Sequence, residues 1–398
     1  MPTRQDSKLK KLKAFAKLTY QKTPFCLRWL FSKIIIIYRL IYQLDYKLRI
    51  NIWIISGKEP TNTPLTIIFA GTEENKNYIA RLAFDDSYSE IHIGKTWKCL
   101  LTKIVNKRAQ DCSLMVFEVN KAFVRLFDRK KTFFIPRWIG QERDFSADTS
   151  PFNKYEKQIN KHNLQFEVTN ERRQFDIFYN NMYSPYITKV HGNHANLMSY
   201  YEMENNFKNG DLLFIKKDNE YIAGELIVYD ENRPRLAGLG VKDGNTDYLK
   251  VGVMAALYLF AIKYLKQKGC KKLHFGISRA FLKDGVLQYK KRWRLQVVND
   301  KEIGFLIKPL SMSDGVKDFF LRNPFIYFDQ GKFYGAIFME NDQLRSTEDL
   351  EKVYKDYYQK GLSTLNIYLF DGNERDIRKI IPSELSEKIS IYSAEGLF

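Results

Sequence analysis

The sequence predicts an α/β (α+β) chain of mixed sheets flanked by helices, and three observations predict it. Short apolar runs rich in β-branched and aromatic residues alternate with helical stretches at short spacing, as strands covered by helices do. Apolar residues make up 44% and aromatics 15% of the 398 residues, ample for packed cores rather than disorder. The clearest run, residues 211–307, reads strand, strand, strand, long helix, strand, helix and closing hairpin.

The chain opens on charge. Its formal net charge is +18, and residues 1–59 carry thirteen Lys/Arg against Asp6, Asp45 and Glu59, a net of +10. Such a block seeks phosphate, on nucleic acid or on an anionic lipid surface. Between Lys8 and Arg49 apolar residues recur at helical spacing: Leu9, Leu12, Phe15 and Ala16, then, beyond Pro24, Leu27, Leu30, Phe31, Ile34, Tyr38, Ile41 and Leu44. The run of four isoleucines at 34–37 is bracketed by Lys33 and Arg39, far short of the roughly 20 apolar residues of a spanning helix. No small-residue cleavage site follows it. Residues 8–49 therefore read as amphipathic helices that lie on an anionic membrane surface or pack on the rest of the chain. Cys26, Cys99, Cys112 and Cys270 show no CxxC spacing, which disfavours a zinc site or disulfide framework and fits a reducing cytoplasm. A cytoplasmic protein, peripheral on the inner face of a membrane, is the expectation.

From residue 61 the character changes. Residues 65–70 read as a strand, 77–83 as a helix, 89–93 as a strand, 94–107 as a helix and 113–119 as a strand. Residues 144–153, with Ser, Thr and Pro, read as a connector. A basic helix at 154–163 leads into a strand ending at Thr169; helices follow at 174–182 and 194–204, with 183–191 loop-like between them. Strands at 212–217, 221–229 and 235–241 are joined by polar turns at 217–220 and 230–234. A helix spans 250–268 and stops at Gly269. A strand at 272–275, a helix at 281–292 and a hairpin of 295–298 with 304–307 close this part. Strands at 334–339 and 365–369 around a helix at 346–359 make a small C-terminal α/β cap. The expected spans are a basic helical extension at 1–60, one domain at 61–150, a second at 151–325 and the cap at 326–398.

Four words sit in order on this pattern: Gly-Glu-Leu-Ile-Val at 224–228, Ala-Leu-Tyr-Leu-Phe-Ala-Ile-Lys-Tyr-Leu-Lys-Gln-Lys-Gly at 256–269, His-Phe-Gly-Ile-Ser-Arg at 274–279, and Lys-Asp-Gly-Val-Leu-Gln-Tyr-Lys-Lys-Arg-Trp at 283–293. Together they resemble the FemAB-like branch of the GNAT acyltransferase superfamily, which builds tandem GNAT-like domains. The resemblance covers roughly residues 150–310, is weaker over 65–150, and is absent from the basic N-terminus and the cap. It implies tandem GNAT-like domains and an acyltransferase. The usual Gln/Arg-x-x-Gly-x-Gly/Ala loop of GNAT proteins is missing; a single glycine, Gly252, stands at the turn. Both donors known in the resembling group, acyl-CoA and aminoacyl-tRNA, therefore stay open.

The chemistry needs a proton acceptor for the attacking amine, donors for a tetrahedral oxyanion, and a phosphate site for the donor. Glu225, Asp247 and Tyr248 are the candidate catalytic residues. Lys250 and Gly252 open the helix whose free N–H groups would face phosphate. Tyr183, Tyr186, His191 and His194 lie where a substrate groove would open. Ser278, Arg279, Lys283, Asp284, Lys290 and Trp293 form the densest polar–aromatic cluster; in the resembling family this segment lines the cleft, so Ser278, Arg279, Lys290 and Trp293 are expected to bind substrate or donor. No metal-ligand set is apparent. Three functions remain: an N-acyltransferase acting from acyl-CoA on an amine of a cell-envelope precursor (an amino sugar or lipid-linked glycan), an aminoacyl-tRNA-dependent transferase whose basic surface binds tRNA, and a catalytically silent scaffold on membrane or nucleic acid.

Overall fold

The computed structural model describes residues 49–85, 87–97, 111–126, 131–146, 152–192, 197–230, 233–298, 302–370 and 374–397. The amphipathic helices expected at 8–49 lie, apart from Arg49, outside the described residues, as does the helix expected beyond residue 97. Among the described residues the fold is mixed α/β, with three sheets and flanking helices. Two compact units divide it: Glu142–Gly276 is contiguous, whereas Tyr42–Gln141 joins Ile277–Phe398. The expected spans were contiguous throughout, and the difference has one cause, described next.

In the discontinuous unit, β1 (Arg49–Lys58) pairs antiparallel with β2 (Pro64–Gly71); α1 (Glu73–Phe84) leads to β3 (Tyr88–Trp97), which pairs on β1's other edge. β1 corrects the reading of 1–60 as a helical extension. Its sequence, with Ile50, Ile52, Trp53 and Ile55 all buried, is that of a strand covered on both faces, which lacks polar alternation. β3 likewise corrects the helix expected from residue 94. β4 (Leu114–Asn120) lies parallel to β2, and β5 (Phe133–Pro136) and β6 (Ile139–Asp144) follow.

The contiguous unit starts within β6. α2 (Asn153–Lys161) and β7 (Gln165–Thr169) come first, then a continuous helical run. That run comprises α3 (Arg172–Ile177), a π-helical turn at Phe178–Tyr183, and α4 (Ser184–His191). Residues 183–191 are thus helix and not loop; Pro185 stands in the first turn of α4, where its missing N–H is tolerated. α5 (Tyr200–Phe207) starts later than expected because Ser199 caps it: the Ser199 hydroxyl accepts from the Glu202 N–H while the Glu202 carboxylate accepts from the Ser199 N–H. β8 (Gly210–Lys217), β9 (Glu220–Asp230) and β10 (Arg233–Val241) form an antiparallel meander. Asp218 and Asn219, at φ 51° and 65°, make the tight turn that sequence placed there. α6 (Asp247–Lys250), α7 (Val253–Gln267) and β11 (Lys272–Ser278) complete the set. The strands run β6-β11-β10-β9-β8-β7. On one face Phe175, Phe178, Met182, Met203, Phe207, Phe214 and Leu226 pack as a core.

After β11 the chain rejoins the discontinuous unit. α8 (Gly285–Lys291) and β12 (Gln296–Val298) precede β13 (Ile303–Pro309). The expected hairpin of β12 with β13 does not form. β13 instead inserts antiparallel between β4 and β5, giving the order β3-β1-β2-β4-β13-β5. α9 (Asp314–Arg322), β14 (Phe325–Asp329), β15 (Lys332–Glu340), α10 (Thr347–Tyr357), β16 (Leu362–Phe370), α11 (Glu374–Lys379) and β17 (Ile389–Ser393) follow. The last four strands form their own sheet, but the segment is no separate cap. Phe69, Val116, Phe133, Phe305, Phe320, Phe325, Phe338 and Leu365 share one core. The Phe133 ring meets Phe325, Tyr327 and Tyr368 edge-on at 5.1, 5.2 and 5.5 Å.

Two predictions follow from this packing. A Cβ on Gly240 would lie 2.4 Å from the Met182 carbonyl and 2.5 Å from the Tyr183 nitrogen, both backbone. Gly240→Ala should therefore lose about 3 kcal/mol or more in urea unfolding; a loss below about 1 kcal/mol would contradict the close approach. Glu59, just past β1, has its carboxyl fully buried, 3.0 Å from the Arg322 guanidinium. Burial pushes that carboxyl up to about 7 from 4.5, although Arg322 pulls it down and Asp318 pushes it up. A folded-state pKa above the unfolded value favours the folded state fully below pH about 4.5, and that contribution is lost as pH rises through about 7. Glu59→Gln should gain Tm relative to the parent between about pH 5 and pH 8. A pH-independent Tm difference would sink the assignment.

Candidate functional site

Each unit carries one group of the residues singled out by sequence. In the contiguous unit the organising feature is the way β10 and β11 part. β10 is registered along its length with β9, whereas with its parallel neighbour β11 it shares the single pair Arg235–His274. Immediately beyond that pair β10 bulges, its register shifting between Leu236 and Gly238, and a bulge re-aims a strand and ends pairing. β11 carries its own irregularity at Gly276, φ 71°.

Past β10 the chain turns through Lys242–Gly244 and α6 before Gly252 starts α7. Gly252 sits at φ 88°, which only glycine adopts without strain, and a Cβ there would lie 2.6 Å from the Gln158 side chain. α7 has fifteen residues, and its N-terminal N–H groups and dipole favour an anion. The helix expected over 250–268 is thus split at Val251 and Gly252.

The candidates of this unit differ in their surroundings. Glu225 is fully buried at the middle of β9 and registers with Leu239, on the part of β10 that has left β11. It lies on the same face as Ala223 and Ile227, away from the core under α3–α5 that takes Leu226 and Val228. Asp247 and Lys250 are exposed and pair with each other at 2.7 Å; the Lys250 ammonium holds the Asp247 carboxyl below its usual range. An exposed carboxylate held ionised is a weak proton acceptor at neutral pH. Tyr248 is half-buried beside them. Tyr183 is a core residue: its ring packs 5.8 Å from Tyr179, and its hydroxyl oxygen accepts from the Met198 N–H at 3.0 Å. Burial raises its phenol. His191 ends α4, but its side chain and all of His194 lie outside the described residues.

In the discontinuous unit, three consecutive residues at the end of β11 are each engaged. The Ile277 carbonyl accepts from Lys290 Nζ at 3.0 Å, the Ser278 hydroxyl donates to Gln141 Oε1 at 2.8 Å, and Arg279 Nη1 donates to Asn75 Oδ1 at 3.1 Å. Ser278, Arg279 and Lys290 are all buried. The Arg279 guanidinium carbon also lies 4.0 Å from the Trp138 ring centroid and 4.2 Å from that of Tyr78, and burial lowers its proton affinity. Trp293 is fully buried, 6.5 Å from the Tyr289 ring, and fills the core. Asp284 caps α8, its carboxylate accepting from the Leu287 N–H at 2.9 Å. Lys283 is exposed. Of the six-residue cluster read from sequence, Ser278, Arg279 and Lys290 are buried polar groups, whereas Asp284 and Trp293 serve the helix and the core.

Sequence reasoning missed Gln141, Asn75 and Trp138, which complete these contacts, and the Arg137–Glu118 ion pair at 2.8 Å. Glu118 had a visible signal, an acid inside the apolar run Leu-Met-Val-Phe-Glu-Val. The described residues hold no group of His, Cys, Asp and Glu able to bind a metal ion, and no helix among them is long and apolar enough to cross a membrane.

No protein-family model and no curated protein sequence matches the chain. Solved structures do. The chain is similar to L-PGS from Bacillus licheniformis, with 10% identity and a TM-score of 0.34 over 66% of this chain and 85% of that one. It is similar to FemX, with 11% identity and a TM-score of 0.32 over 64% and 83%. It is similar to a tandem GNAT protein from the clavulanic acid biosynthesis pathway, with 8% identity and a TM-score of 0.29 over 63% and 79%. Likeness this distant adds nothing to the chemistry, which stands on the geometry above.

The turn at Gly252 yields a prediction. Gly252→Ala should cost about 1–2 kcal/mol in chemical unfolding from the left-handed backbone alone. Because the clashing atoms belong to the flexible end of Gln158, adding Gln158→Ala should restore only a minor part. Full restoration would show that the clash, not the backbone, is the constraint.

Proposed function

We propose that the chain is a GNAT-like acyltransferase that moves an acyl group from acyl-CoA to an amine, the acceptor being an amino sugar or lipid-linked glycan of a cell-envelope precursor. The observation that supports this most is the parting of β10 from β11 after one registered pair, followed by a glycine-initiated helix. Parallel neighbours normally continue pairing, so the divergence leaves strand-edge backbone groups for an extended amide-bearing arm such as pantetheine. α7 then offers its N-terminus to the phosphates of the same donor. The net +10 of residues 1–59 supports an acceptor held at an anionic surface.

The reaction needs few groups. The amine nitrogen attacks the thioester carbonyl, forms the C–N bond, and loses a proton; the tetrahedral oxyanion collapses and expels the thiolate, which takes up a proton. Glu225 is the proposed proton acceptor, because it registers with the stretch of β10 that has left β11. Backbone N–H groups left free where β10 departs from β11 are the proposed oxyanion donors, since they are held at fixed geometry by the strand. Lys250 and Gly252 are proposed for the donor phosphates.

Acetyl-CoA should slow hydrogen exchange across residues 250–268 of the full-length protein, and Glu225→Gln should lower turnover about 10²-fold or more while leaving that protection in place. If acetyl-CoA leaves exchange unchanged and charged tRNA supports transfer instead, the acyl-CoA reading is wrong and the aminoacyl-tRNA one replaces it. If neither donor acts, the chain is no transferase.

A further inference from the structure

We infer that Arg279 and Arg137 form a binding subsite for an oxyanion, a carboxylate or a phosphate, within the discontinuous unit. The inference starts from charge. Arg279 is 8% exposed. A guanidinium carries five N–H donors, and among the described residues the acceptor within hydrogen-bond distance of Arg279 is the neutral Asn75 amide, at 3.1 Å. The nearest carboxylate in ion-pair range is Glu74 at 3.9 Å, and with 64% of that side chain exposed, water and salt screen it. The second guanidinium, Arg137, repels the first, and so contributes to the lowered proton affinity of Arg279.

Among the described residues, the one buried carboxylate of this cluster is already engaged. Glu118, its carboxyl 1% exposed, accepts from Arg137 Nη1 at 2.8 Å, from the Thr72 N–H at 2.9 Å and from the Thr72 hydroxyl at 3.0 Å. Glu118 makes its short contacts to Arg137 and Thr72 and also attracts Arg279 at longer range, so two guanidinium groups share one buried carboxylate. Arg137 adds a further unmet donor: its Nε is buried and has no acceptor among the described residues. A buried cation short of acceptors is costly unless an anion supplies them.

The surroundings define the class of ligand. Trp138 and Tyr78 fix the Arg279 fork by ring contacts at 4.0 and 4.2 Å, so its donors are set in advance for a planar or tetrahedral oxyanion. Glu74 and Asn75 lie in the first turn of α1, whose dipole favours the same sign of ligand. As an anion site this stands without the transfer reaction; as the place where an acidic group of the acceptor or donor is recognised, it rests on the transferase reading.

Inorganic phosphate and acetate, titrated separately into the full-length protein at constant ionic strength, test it by tryptophan fluorescence and NMR. At least one should saturate at a millimolar Kd. Arg279→Lys, which keeps the charge but loses the fork, should weaken binding about 10-fold or more. Glu74→Gln, at an exposed position that folding tolerates, should tighten binding about 2- to 5-fold at low salt. Phosphate alone binding assigns a phosphate ester, and acetate binding assigns a carboxylate. Absence of saturable binding by both anions, or affinities unmoved in both variants, overturns the subsite. Because these readouts need no turnover, failure of acetyl-CoA to protect residues 250–268 would leave them untouched.

Discussion

The structure depends on where β13 pairs. Seven registered pairs tie it to β4 and four to β5, so a strand near residue 306 completes a sheet that begins at residue 49. Phe305, Leu306 and Ile307 are completely buried, consistent with a strand covered on both faces. Burying each such side chain contributes about 1.5–3 kcal/mol. Removal of β13 would leave the inner edges of both β4 and β5 unpaired and would open the core shared by Phe69, Phe133 and Phe325. The long sequence separation is the price of the arrangement, since the intervening chain must be threaded before these pairs can form.

That return of the chain also explains how the polar residues of the discontinuous unit are assembled. Ile277 and Ser278 end β11 and Arg279 follows it, Gln141 and Trp138 come from the β5–β6 region, and Asn75 and Tyr78 come from α1. Each contributes a contact made across 137 residues of sequence or more. Fixed ring contacts around a guanidinium, together with a buried ammonium on a backbone carbonyl, give preset electrostatics that a flexible surface cluster lacks. In the contiguous unit the preset feature is backbone, not side chain: a bulge, a parting pair of strands, and one glycine in a left-handed conformation.

Much of the fold was legible because local pattern and final environment agree. The β8–β9–β10 meander was readable from alternating apolar strands and the Asp218–Asn219 turn, and α7 from its long apolar helix ending at Gly269. Where reading failed, a tertiary partner had overridden the local signal. Residues 94–97 have helical-looking composition, but hydrogen bonding to β1 makes them strand. Residues 183–191, with Tyr183-Ser-Pro-Tyr at their start, look like a turn, yet packing of Met182 and Tyr183 under β10 holds the chain helical.

By itself the sequence determined the mixed α/β class and the strand–helix order over residues 211–278, and it singled out Ser278, Arg279 and Lys290 as members of the densest polar–aromatic cluster. These follow from short-range periodicity, which depends only on neighbouring residues. Tertiary structure alone decided that β13 joins the first sheet and not β12, that Trp293 and Tyr183 are core, and that Glu225 is buried. It also decided which remote residues meet Arg279. Pairing register and burial are set by partners far away in the chain, and no local pattern encodes which partner arrives.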